Sequence, residues 1–84
     1  MTHVDLKKIL CMDFHISHKS TGAPEEFAKK LNCSRSTLFE YLTYMRNELG
    51  VSILYNKYAK TYYYDGKDLY TILGVKPYND TLRP

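Results

Sequence analysis

Between Pro24 and Leu42 the chain reads PEEFAKKLNCSRSTLFEYL, two helical patterns with only NCS, residues 32–34, between them. A connection this short makes the two helices neighbours that meet at a corner. Pro24 suits a first helical position, and Glu25 and Glu26 face the positive end of that helix's dipole. Phe27, Ala28 and Leu31 give the first helix a short apolar face. Ala23, just before it, is a poor cap, which costs about 1 kcal/mol of helix stability. Ser34 is a good N-cap for the second helix, its hydroxyl free to accept from the Thr37 N–H.

The second helix is the best-defined element. Leu38, Tyr41, Leu42, Met45 and Leu49 follow i, i+3, i+4, i+7 and i+11, and Gly50 stands where a C′ glycine is expected. A turn of 100° per residue sends Ser36, Glu40, Thr43 and Asn47 to the opposite face. Arg35, Phe39 and Arg46 form one flank.

The rest of the chain must complete the core of this unit. Its 84 residues make one small domain, marginal unless it dimerises or packs very well. Upstream, Leu6, Ile9, Leu10, Met12 and Ile16 recur at helical spacing, with Thr2 or His3 as starts, Asp5 in the first turn, and STG ending at Gly22 as the stop. After Gly50 the residues turn β-branched and aromatic. VSILY (51–55) and TYYYD (61–65) read as strands, and NKYAK (56–60) as a hairpin loop with two lysines. The fold class is mostly α with a small β-hairpin (α+β). Residues 1–65 form the domain, and 66–84 an extension in which DLYTIL reads as a third strand or a short helix. The remainder is a docked or frayed tail.

The charge is +3 with a pI near 8.8, which permits nucleic-acid binding without demanding it. Two cysteines do not make a disulfide framework, and there is no spanning apolar run or signal-like segment. The expectation is a cytoplasmic protein in its mature form with no membrane partner. Cys11, Asp13, His15 and His18 have a geometrically conceivable zinc spacing, but no second cluster completes it. Chance spacing on one helix is the preferred reading, so no metal and no cofactor are expected. An enzyme has no support: there is no glycine-rich phosphate loop, and the few histidines and acids cluster on one helix.

Helix, short helix, tight corner, longer helix and basic-tipped hairpin is the order of a winged helix-turn-helix. Residues 21–64 resemble winged helix-turn-helix regulators of the DeoR-like kind. They resemble still more closely small bacterial proteins with a TGxPEEFAxxL…SRSxL core and a YYY strand. The resemblance implies a three-helix domain whose third helix, 34–49, enters the major groove while the hairpin, strands near 51–55 and 61–65, lies on the backbone. It implies a double-stranded DNA-binding transcriptional regulator of bacterial or phage type. Arg35 and Ser36 would sit at the reading tip, with Ser34 and Thr37 donating to phosphates. Lys29 and Lys30 would lie over phosphates, and Lys57, Tyr58 and Lys60 would be wing contacts.

Phe39 and Glu40 depart from the basic residues common at those outward positions. Phe39 suits a thymine methyl, and Glu40 accepts from a cytosine amino group yet repels phosphates; Thr43 continues the same face. Arg35 also reads as a solvated first-turn residue, though its motif favours DNA. Lys57 and Lys60 serve equally to keep a loop tip soluble. In the tyrosine run, Tyr62 and Tyr64 share one strand face, and packing outweighs base stacking. Two partner readings accompany DNA. One is a homodimer through the first helix or the tail, with Tyr70, Ile72, Leu73 and Val75. The other is a protein partner docking on Phe39, Tyr44 and Tyr58 in an interaction module without DNA.

Overall fold

A computed structural model describes residues 4–74. Thr2, His3, Val75 and the rest of the tail lie outside the described residues. Among those described there are four helices and one two-stranded antiparallel hairpin. The helices are α1 (Leu6–Ser17), α2 (Pro24–Lys30), α3 (Arg35–Asn47) and α4 (Leu69–Leu73), and the strands β1 (Ile53–Asn56) and β2 (Thr61–Tyr64) lie between α3 and α4.

Asp5 caps α1 rather than sitting in its first turn, its carboxylate accepting from the Lys7 N–H at 2.9 Å. The helix ends well before Gly22. Lys19 takes a left-handed backbone (φ 53°), and the Lys19 and Ser20 N–H groups donate back to the Ile16 and His15 carbonyls. That closes the helix as a Schellman turn with lysine in the glycine position. Gly22 serves the next helix instead: at φ 77° it lets the Glu26 side chain fold close, where a Cβ would lie 2.8 Å from Glu26 Oε1. Glu26 in turn accepts from the Ala23 N–H at 2.9 Å. Alanine has no oxygen to return the bond, so only half of a capping box forms.

The 32–34 corner uses the same closing device. Asn32 is left-handed (φ 57°), and the Asn32 and Cys33 N–H groups reach the Lys29 and Ala28 carbonyls. The Thr37 N–H then donates to Ser34 Oγ at 3.1 Å, as its N-cap position requires. Helix α3 buries Leu38, Tyr41, Leu42 and Met45. Gly50 carries the positive φ (77°) after it, one place beyond C′, because the helix cap is Glu48.

The strands pair Ile53 with Tyr64, Leu54 with Tyr63, Tyr55 with Tyr62 and Asn56 with Thr61. Each begins or ends within two residues of the expected 51–55 and 61–65, and Asn56 belongs to β1 rather than to the loop. Its side chain shapes the turn, accepting from the Tyr58 and Ala59 N–H groups at 2.9 and 3.0 Å. Residues 69–73 are helical and not a third strand. Asp68 caps α4 through the Thr71 N–H, and Gly74 closes it at φ 74°.

The core gathers Ile9, Met12 and Ile16 with Phe27, Leu38, Leu42, Met45, Ile53 and Tyr62, and Leu69 joins it from α4. Burial in a helix keeps to a stripe of limited width. In α1 that stripe is Ile9, Met12, Asp13 and Ile16, so Leu6 and Leu10, expected to be interior, are exposed.

Candidate nucleic-acid interface

The core anchors the outward face of α3 from behind. Because Leu38, Tyr41, Leu42 and Met45 are buried, Ser36, Glu40, Thr43 and Asn47 face solvent as one polar stripe. At its N-terminal edge Arg35 is held on two sides. Its guanidinium lies 5.5 Å from the Phe39 ring centroid, and Nε is 3.7 Å from the Glu25 carboxylate on α2. Both members of that ion pair are more than half exposed, so the pair is weak and Arg35 can exchange it for another anion. Phe39 is 41% exposed: it supports Arg35 from outside the core and presents an apolar edge to solvent.

The remaining candidates divide into committed and open groups. Ser34 is committed to its cap, its hydroxyl also donating to Thr37 Oγ1 at 3.1 Å, and Thr37 is half-buried. Lys30 donates to the Ser20 carbonyl and so braces the loop before α2. Lys29 is exposed, with no hydrogen bond or ion pair among the described residues. On the hairpin loop Lys57 lies over the Tyr58 ring at 5.5 Å, and Tyr58 is 88% exposed. Lys60 takes a left-handed backbone (φ 54°), which turns the loop back into β2.

Arg46, expected on the flank with Arg35 and Phe39, turns away from them. Its Nε and Nη2 both donate to the Ile53 carbonyl, at 3.1 and 2.9 Å, tying the hairpin to α3.

Sequence reasoning misses the polar contacts that fix the hairpin. Thr21 is fully buried; its Oγ1 accepts from the Tyr62 N–H at 2.8 Å and lies 3.2 Å from Thr61 Oγ1. It satisfies an outward N–H that the two-stranded ladder leaves unpaired. Asp13, buried on α1, accepts from the Tyr64 hydroxyl at 2.7 Å. Burial holds the Asp13 carboxyl above its ordinary range, a rise that the Tyr64 hydrogen bond partly opposes. Burial likewise drives the Tyr64 phenol upward, and the Asp13 carboxylate beside it adds to the effect.

His15 is pushed below the usual imidazole range by burial, then by the charges of Lys30 and His18. The His18 ring stacks on Phe14 and donates to the Phe14 carbonyl at 2.7 Å. Among the described residues no three His, Cys, Asp or Glu side chains converge on a metal position, and no helix is long and apolar enough to cross a membrane. No family model, curated protein or solved structure matches this chain.

Proposed function

We propose that the protein is a winged helix-turn-helix that binds double-stranded DNA in a sequence-specific manner and acts as a small transcriptional regulator. Helix α3 enters the major groove and the 57–60 loop lies on the backbone. The observation that carries this reading is the division of α3. One side is fully buried, while the other leaves Ser36, Glu40 and Thr43 to solvent with a cation, Arg35, at the N-terminal edge. Arg35 makes a bidentate contact to guanine, Phe39 packs on a thymine methyl, and Glu40 accepts from a cytosine amino group. Lys29, Lys57 and Lys60 neutralise phosphates, and Ser36 donates to one.

The exposed Phe39 and Tyr58 favour a second reading, a winged helix that docks a protein partner instead, because aromatic side chains anchor such interfaces. Fluorescence anisotropy with Arg35→Ala and with the double change Lys57→Ala, Lys60→Ala separates the two. The DNA reading predicts that the double change weakens binding to all duplexes about equally, while Arg35→Ala also flattens sequence preference by about 1–3 kcal/mol at one base pair. Binding untouched by either change would overturn it.

A further inference from the structure

Helix α1 carries two apolar stripes where a surface helix normally has one. Ile9, Met12 and Ile16 fill the core. Leu6, Leu10 and Phe14 recur at i, i+4 and i+8 on a second side and are 67%, 43% and 54% exposed. Beside this ridge runs an apolar groove between α1, α3 and α4, lined by Val4, Leu6, Leu10, Tyr44, Leu49 and Leu73. Val4 and Leu73, which line it, are themselves partly exposed.

We propose that this face is a two-fold interface between two copies of the chain. The ridge is one continuous row beside the groove, which is what a self-complementary patch requires: across a two-fold axis the ridge of each copy packs along the ridge of the other, with a groove flanking each. With the axis near Leu10 and the two α1 helices antiparallel, Leu10 meets its own counterpart and Leu6 meets Phe14 of the second copy. An i, i+4, i+8 row is also the ridge that helices most often interdigitate.

The exposed apolar side chains of the ridge and groove amount to roughly 500 Å² per copy, at the upper end of the largest patch on an ordinary monomer. Two such faces bring together about 1,000 Å², the lower bound for a specific interface. A second copy therefore matches the size of the face. The interface stands independently of the DNA reading.

Sedimentation velocity of the full chain without DNA, from micromolar to several hundred micromolar, tests it. The wild type is expected to sediment as a dimer, and Leu10→Glu to raise the dissociation constant at least tenfold while keeping its helical circular dichroism. Leu6→Glu, at the most exposed position of the ridge, gives the same reading if Leu10→Glu disturbs the fold. Isotope-filtered cross-peaks between the Leu10 methyls of a labelled copy and an unlabelled one would support the same contact. A wild type that stays monomeric throughout overturns the proposal, whether the Leu6 and Leu10 methyls then contact residues 75–84 or only water. So does a dimer that both substitutions leave intact.

Discussion

At the scale of the residue, the Asp13–Tyr64 bond is the clearest instance of a polar group held by burial. The two residues lie 51 apart in the chain, and nothing in either's neighbours announces the pairing. Tyr64→Phe removes the donor and leaves a buried carboxylate short of a partner, an expected loss of about 1–3 kcal/mol in urea unfolding. Asp13→Asn keeps an acceptor for Tyr64 and removes the charge. Because burial raises the Asp13 carboxyl, the folded state binds its proton more tightly than the unfolded chain. Its contribution is thus fully present below about pH 4 and is lost as pH rises through the raised value. Asp13→Asn should therefore gain stability over the wild type as pH increases from 4 towards neutrality. His15 acts in the opposite sense: its lowered value subtracts stability as pH falls below about 6.5, equally in both proteins. A wild type and variant that track each other across this range would refute the role of Asp13.

Among the elements, capping decides where helices stop, and its chemistry is only partly legible. Asn32 at the α2–α3 corner is readable, since asparagine tolerates the left-handed region better than most residues. Asp68 and Gly74 around LYTIL carry a helix signature that β-rich composition obscured. Lys19 has no such signature, and its left-handed backbone places the end of α1 before the expected stop at Gly22. Lys19→Gly relieves more strain in that backbone than the extra freedom of glycine in the unfolded chain costs. It is expected to raise stability by about 1 kcal/mol, seen as a higher urea midpoint at unchanged slope. An unchanged or lower midpoint would mean that the lysine side chain contributes contacts that offset the strain. The apolar pattern of α1 was legible as a helix but not as two faces. Leu6 and Leu10 share the same three-and-four spacing as the core residues, and periodicity cannot tell a wide stripe from two narrow ones. Thr21 is hidden for another reason: a polar loop residue becomes interior only once β2 lies against it.

For the molecule as a whole, two surfaces remain among the described residues after the core is built. One is the outward face of α3 with Arg35 at its edge, and the exposed Lys29 on α2 and Lys57 and Lys60 on the hairpin loop are the cations proposed to extend it. The other is apolar and lies along α1 and α4. The first is the proposed DNA face, its residues carried over from the motif; what the motif hid is that Ser34, Thr37 and Lys30 are occupied within the fold. For the second, the sequence named the first helix or the tail as alternative dimer surfaces; that α4 returns beside α1 and the two line one groove is visible only in three dimensions. The most direct test of the DNA face is the salt dependence of binding to a labelled duplex, followed by anisotropy. Four cationic contacts predict a log–log slope near −3.6 and about a hundredfold loss of affinity between roughly 50 and 200 mM salt. A folded protein that does not bind the duplex at the lower salt, or whose binding ignores salt, would contradict it.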